Sequence, residues 1–348
     1  MERMELPRVF AIWHPDDSIR MASSSGGAFT LFAEDVIRRG GVVFGAAWDS
    51  EMRVVIKHVE TEAGLSELRE SKYVAATPGN EYVRAREYLE GGREVFYCGT
   101  PCQIAGLKSF LRGKVYENLF TADFICHGAP DRRVWGKYTK WLERQYGGKI
   151  EEVHFRDKRW GTESNLLLVV RFQNVAKPVV IASRENTYYY GFIHNFFLRP
   201  CCLRCGFNKV PRVADVSFAD FRGLGEHDSF DLERDKVKGF TGVIVNTNQG
   251  RRLIARVNHE SVVERRFEEL ANSQPLLRES PRPHEKAAEF WRDFDSMDWP
   301  ELAQRYLRPS YKYLAYIFAR RTLGPRLFLR LGIVYKKLTG KRSASWRI

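Results

Sequence analysis

Glu94-Val95-Phe96-Tyr97-Cys98-Gly99-Thr100-Pro101-Cys102-Gln103 runs from a short apolar strand, through a glycine and proline loop, into the start of a helix. The run is apolar and partly aromatic, bounded by turn residues, as a buried strand requires. The pattern returns downstream. Leu119 to Ile125 reads as a strand that delivers Cys126-His127-Gly128-Ala129-Pro130. A strand that empties into a loop and then a helix, twice in succession, predicts an α/β layer with partly parallel pairing and flanking helices. Cysteine loops at neighbouring strand ends then converge on one edge of the sheet, where ligand sites of such folds lie.

Working outward, Arg8 to Trp13 is a strand that leads into Ala22-Ser23-Ser24-Ser25-Gly26-Gly27-Ala28-Phe29. Phe29, Phe32, Ala33, Val36 and Ile37 recur at helical spacing, so a helix covers about Ala28 to Arg39 and stops at Gly40-Gly41. Val42 to Trp48 and Arg53 to Val59 read as a strand pair about Asp49-Ser50, followed by a helix from Asn80 to Glu90. Further helices are expected over Gln103 to Leu111 and Arg133 to Tyr146. Strands are expected over Glu151 to Phe155, Leu166 to Phe172, Pro178 to Ala182, Ala214 to Ala219 and Gly242 to Asn246. The aromatic run Tyr188 to Phe197 leads into Arg199-Pro200-Cys201-Cys202-Leu203-Arg204-Cys205. The division expected is an N-terminal α/β region over 1–147, a second region with the Cys-x-x-Cys over 148–300, and a basic amphipathic helical tail over 301–348.

The chain has 348 residues, 44% apolar and 28% charged, enough to bury a core without disulfides. Six cysteines in three clusters are too few for a disulfide framework of this length. The start carries no apolar signal segment and no stretch reaches the ~18–20 apolar residues of a spanning helix, so a reducing cytoplasm is the expected compartment. The net charge of +13 has a local origin: Ala303 to Ile348 holds twelve Lys or Arg and no Asp or Glu. The remainder is nearly neutral, so a nucleic-acid-binding core is not implied.

Cys102, Cys126, Cys202 and Cys205 supply four thiolates, the complement of a [4Fe–4S] cluster. A four-cysteine zinc site and buried structural thiols are the alternatives; the Cys98-x-x-x-Cys102 spacing and the distant single Cys126 fit a zinc ribbon poorly. The serine and glycine run opens a helix, where backbone N–H groups suit a flavin or nucleotide phosphate, although such a run also serves as a plain N-cap. Lys72, Lys158 and Lys238 are cations beside turns, each of which also reads as a solvated surface charge, and His127, beside Cys126, is a candidate proton donor or a loop residue tied to backbone.

The ordered set Ser24-Ser25-Gly26-Gly27, Ser71-Lys72-Tyr73, Gly99-Thr100-Pro101-Cys102-Gln103, Cys126-His127-Gly128-x-Pro130, Phe155-Arg156-Asp157-Lys158, Arg199-Pro200-x-Cys202-x-x-Cys205, Asp215 through Asp220-Phe221-x-Gly223 and Lys238-Gly239 resembles the beta-subunit family of coenzyme F-420 hydrogenase/dehydrogenase. The resemblance spans about Ile12 to Gly250. Similar chains include 7-hydroxymethyl chlorophyll a reductases and members found with polysaccharide-biosynthesis enzymes. It implies an iron–sulfur flavoprotein oxidoreductase that takes electrons from a ferredoxin-like donor or partner subunit through a [4Fe–4S] cluster to FAD, and on to a small organic substrate or a deazaflavin. By the resemblance Cys102, Cys126, Cys202 and Cys205 are the cluster ligands, and Cys98 and Cys201 are extra thiols. Ser24, Ser25, Gly26, Gly27, Lys72, Thr100, Asp220 and Lys238 fall on the cofactor side, with His127 and Lys158 as catalytic candidates. Other readings are a non-catalytic electron-transfer subunit and a membrane-associated accessory protein of polysaccharide biosynthesis.

The chain departs from the pattern at Arg222, where the family often has Trp, and at Thr162 and Asp131. These changes bear on the substrate. No C-x-x-C-x-x-C-x-x-x-C-P run is present, so the electron donor is expected to be a separate partner. Tyr311 to Lys337 interleaves apolar and basic residues, which suits an anionic membrane surface, peripheral at the inner membrane, an acidic partner, or a peripheral helix packed on the domain with a solvated basic face.

Overall fold

In chain order the elements are β1 (Arg8–Ile12), α1 (Asp17–Met21), α2 (Ala28–Arg38), β2 (Val42–Trp48), β3 (Val54–Val59), α3 (Leu65–Leu68), α4 (Glu81–Glu90), β4 (Val95–Cys98), α5 (Pro101–Phe110), β5 (Leu119–Phe124) and α6 (Arg132–Tyr146). They continue with β6 (Ile150–Phe155), β7 (Leu168–Phe172), β8 (Val179–Ile181), α7 (Thr187–Ile193), β9 (Val216–Asp220), β10 (Thr241–Val245), α8 (Asn248–Ala255), β11 (Val262–Arg265), α9 (Phe267–Ala271), α10 (Ala287–Asp293) and α11 (Trp299–Tyr306). This computed structural model describes residues 7–158, 167–182, 185–226, 230, 238–257 and 259–308. Thr162 and the amphipathic tail from Tyr311 onward lie outside the described residues.

The main sheet has the order β11-β1-β10-β9-β5-β4-β2-β3. Strands β2, β4, β5 and β9 run parallel, and β1, β10, β11 and β3 join antiparallel. The partly parallel sheet expected from the repeated strand–loop–helix unit is therefore present. Parallel strands need crossover helices on the sheet faces, and the apolar alternation delivers them. One face packs Phe96, Phe120 and Phe218 on Phe32 and Val36 of α2 and Leu253 of α8. The other packs Val42, Phe44, Val95 and Tyr97 on Leu89 of α4 and Ile104 and Leu107 of α5. Asp215, in the segment between the third cysteine cluster and β9, is a core fastener: it accepts the Thr121 N–H and hydroxyl at 2.8 and 2.6 Å and the Thr247 hydroxyl at 2.6 Å, tying β5 to the cap of α8.

A second sheet, β6-β7-β8, is antiparallel. With α6, α7, α10 and α11 it encloses an aromatic core of Trp135, Tyr138, Tyr188, Phe290 and Trp299. Indole N–H groups join it to the main sheet: Trp48 donates to Val153 O at 3.1 Å and Trp135 to Met52 O at 2.8 Å. The main sheet draws strands from both sides of Gly147-Gly148, and α11 runs across the 300/301 position into the aromatic core. Among the described residues no helix is long and apolar enough to cross a membrane.

Geometry follows for the site. The exits of β4, β5 and β9 share one edge of the sheet because the strands are parallel. Antiparallel β10 begins there, with Thr241 opposite Asp220, and β1 ends there, with Ile12 opposite Thr241. The first two cysteine loops and the serine–glycine loop therefore open on the same edge, and backbone bonds between residues 129–131 and 197–199 hold the third cysteine loop against the second.

Candidate functional site

Cys102 stands on the first turn of α5. Thr100 and Gln103 close a capping box there, with Pro101 at the first helical position, which fixes where the helix begins. The Thr100 hydroxyl lies 3.1 Å from Cys102 Sγ. Cys126 follows β5, and its sulfur accepts the Gly128 N–H at 3.3 Å. Gly128 has φ +124, and a Cβ there would lie 3.0 Å from the Leu198 side chain and 3.3 Å from Cys202 Cβ. Only glycine lets the second and third cysteine loops come this close. The two loops are stitched by backbone bonds from Arg199 N to Ala129 O at 3.0 Å and from Asp131 N to Phe197 O at 2.9 Å. The Ala129 N–H points at Cys202 Sγ at 3.3 Å, and the Phe207 N–H at Cys205 Sγ at 3.5 Å.

The four thiols share one locality. Burial pushes Cys126 up to about 12, and the nearby Cys202, Cys102 and Cys205 add to it. Cys202 is pushed up to about 11 by burial, with Cys201 and Cys102 contributing. Cys98 is different: burial, then Asp123, raises it to about 12, and it packs against the main-sheet core. Among the described residues no three His, Cys, Asp or Glu side chains close around a single-ion position. Four thiols from three loops, three of them receiving backbone N–H groups, fit an iron–sulfur cluster. Because both raised thiols are protonated at neutral pH, each must lose a proton to bind iron. Iron and sulfide uptake by the apo-protein should therefore rise with pH, by up to about tenfold in affinity per unit for each proton released. Equal uptake at about pH 6.5 and 8.5 would contradict this.

His127 Nε2 lies 2.7 Å from Asn195 Oδ1, and its ring meets Phe192 edge-on at 5.0 Å. Burial lowers its pKa, against the hydrogen bonds to Asn195 and to the Phe192 backbone, which raise it. Phe192 in turn packs on Tyr73 at 4.9 Å. Arg156 hydrogen-bonds Tyr73 and pairs with Asp220 at 3.0 Å. This contact chain carries the cysteine side of the edge to the serine–glycine side.

There Gly26 is pressed on the sheet: a Cβ would sit 2.5 Å from Ile12 O and 2.6 Å from Thr241 N. The serine hydroxyls bond backbone, Ser25 to Phe240 O at 2.7 Å and Ser24 from Ser71 N at 2.7 Å, which brings Lys72 alongside. Gly27 stands at the N-cap of α2 with φ +90, and the Ala28 N–H reaches the Thr241 hydroxyl at 3.5 Å. Half-buried Lys72 donates to Arg69 O at 2.6 Å, and burial lowers it to about 8.

Lys158, expected as a catalytic candidate, lies beneath the serine–glycine loop. It is 2% exposed, and its ammonium donates to Arg20 O, Ser25 O and Lys238 O at 2.6 to 2.8 Å. Burial, with Arg156 and Arg20 nearby, pulls its pKa down to about 7. Three carbonyl acceptors use three N–H donors, so the charged form is the one this pocket satisfies. Lys158 thereby ties the serine–glycine loop to the backbone at Arg20 and Lys238. Lys238 pairs with Asp17 at 2.6 Å. Of the residues singled out from sequence, Thr100 and His127 gather with the four cysteines. Ser24 to Gly27, Lys72, Lys158, Lys238 and Asp220 gather on the other side. Sequence reasoning did not pick out Asn195 or Arg20; nothing around either marks it, since their partners come from the tertiary fold.

Over residues 92–269 the chain matches the family model for the C-terminal part of the coenzyme F420 hydrogenase/dehydrogenase beta subunit. No curated protein matches it. A chain of the F420-reducing [NiFe] hydrogenase complex from Methanosarcina barkeri, solved as a xenon derivative, has a similar fold, with a TM-score of 0.51 at 17% identity over 80% of this chain and 90% of that one. The matched span begins before β4 and ends within α9, so it contains all three cysteine loops and the strands that carry them, and on that match this chain belongs to the coenzyme F420 hydrogenase/dehydrogenase beta-subunit family.

Proposed function

We propose that this protein is an iron–sulfur flavoprotein that carries electrons between a one-electron donor and an organic two-electron acceptor, a small molecule or a deazaflavin. The observation that supports it best is the gathering of four thiols from three loops on the sheet edge where the glycine-opened helix α2 also begins. In this reading Cys102, Cys126, Cys202 and Cys205 hold a [4Fe–4S] cluster. The start of α2, with Ser24 to Gly27 and Lys72, holds the FAD phosphates, and Thr100 and Asp220 border the space between. When bound, the cluster supplies single-electron transfer and the flavin couples single electrons to two-electron chemistry. The protein's own part is placement. Lys158 and Lys238 fasten the loop, Arg156 carries positive charge beside Asp220, and His127, held by Asn195, stands next to Cys126.

The donor is a separate ferredoxin-like protein or a partner subunit. Arg199, Arg204 and Lys209 are exposed on the third cysteine loop, and no acidic residue occurs between 199 and 212. An acidic donor is therefore drawn to the thiol side of the edge. Protein purified without oxygen should be reduced by an acidic ferredoxin, at a rate that falls several-fold as salt rises from about 0.05 to 0.5 M. Absence of reduction at every ionic strength would overturn the electron-transfer reading.

A further inference from the structure

Arg212 joins two of the three cysteine loops from beneath. Its Nη2 donates to Phe124 O at 3.0 Å and its Nη1 to Phe207 O at 3.2 Å. Phe124 stands two residues before Cys126, and Phe207 two residues after Cys205. Phe207 also donates its own N–H to Cys205 Sγ. The guanidinium is held in turn by Asp123 Oδ1, at 2.8 Å from Nη2 and 3.3 Å from Nε, and Nε also reaches Ser217 Oγ at 3.3 Å. The two side chains are 1% and 0% exposed.

A buried ion pair of this kind adds little net stability compared with apolar packing, because both charges leave water. What it adds is direction. A planar guanidinium presents its donors in a fixed fork. Two arms of that fork end on carbonyls of separate loops, and Asp123, anchored on β5, sets where the fork stands. We propose that Arg212, held by Asp123, is a positioning residue that fixes the spacing between the Cys126 and Cys205 loops so that both thiols serve one metal centre. The proposal rests on the cluster reading above.

Arg212→Lys keeps a cation beside Asp123 but ends in a single nitrogen, which cannot serve carbonyls on both loops at the guanidinium's spacing. Wild type and variant are loaded with iron and sulfide without oxygen. Iron release to a chelator, the midpoint potential of the bound cluster and the melting temperature of the apo-protein are then measured. The expected result is iron release about tenfold faster or more in the variant, with a shifted midpoint potential and apo-protein melting within a few degrees of wild type. Identical release and an identical midpoint potential would overturn the proposal. If Arg212→Lys does not fold, Arg212→Gln combined with Asp123→Asn removes both charges together and is judged by the same two outcomes. Wild type that takes up no iron overturns the cluster reading, and the proposal with it, and is thereby told apart from a wild type and variant that load equally.

Discussion

Replacing Cys202 with serine should remove most of the iron from protein loaded without oxygen, while the fold stays intact. The reasoning is local. Cys202 begins the 3₁₀ turn Cys202–Arg204, and its sulfur accepts the Ala129 N–H at 3.3 Å. A serine oxygen can accept the same N–H, so the contact between the second and third loops survives. What does not survive is ligation: an alkoxide is far harder to form than a thiolate, and iron–sulfur clusters take thiolates. Cys98→Ser and Cys201→Ser serve as contrasts. Cys98 lies in the sheet core, so serine there costs about 1–3 kcal/mol for a buried hydroxyl but leaves the iron. Cys201 is exposed and should be silent. Full iron in the Cys202→Ser protein, measured beside its melting temperature, would refute the ligand assignment.

Gly26→Ala should have the second large effect, on stability and on flavin together. Its added Cβ meets Ile12 O at 2.5 Å, Thr241 N at 2.6 Å and Phe240 Cα at 2.9 Å. All three are backbone atoms of β1 or of the segment entering β10, so nothing flexible can move aside. The loop must lift, which loosens the Lys158 bonds to Ser25 O and Lys238 O and tilts the start of α2. Overpacking of this sort costs about 3 kcal/mol. Gly136→Ala is the control: it sits inside α6 with open space around its Cβ position and should stabilise by ~0.5–1 kcal/mol. The readouts are the melting temperatures and the flavin retained through gel filtration. Wild-type stability and flavin in Gly26→Ala would show that the loop is not seated against the sheet.

Much of this architecture could be read from residue order, for physical reasons. Val42–Trp48, Val95–Cys98 and Leu119–Phe124 are apolar runs bounded by turn residues, and the expected strands match them to within a residue. The amphipathic helices α2 and α6 carry their apolar residues at regular spacing and fall where expected. The misses share a cause. Helix α8 opens Asn-Gln-Gly-Arg-Arg and buries little beyond Leu253 and Ile254, while β11 is a four-residue edge strand. Neither has enough periodic apolar surface to be seen without its neighbours. The convergence of the cysteines was legible because each follows, or leads, a strong strand or turn signal. The latch made by Lys158 was not, since its acceptors are backbone carbonyls of residues 20, 25 and 238. Arg212 was hidden for the same reason, with its carboxylate partner 89 positions away.

The most direct test of the central claim is a count of iron, acid-labile sulfide, zinc and flavin in protein purified without oxygen. The account predicts about four iron and four sulfide per chain, about one flavin, and negligible zinc. A colourless protein with one zinc and no flavin would contradict it, and the thiol edge would then be a structural zinc site instead of an electron-transfer centre.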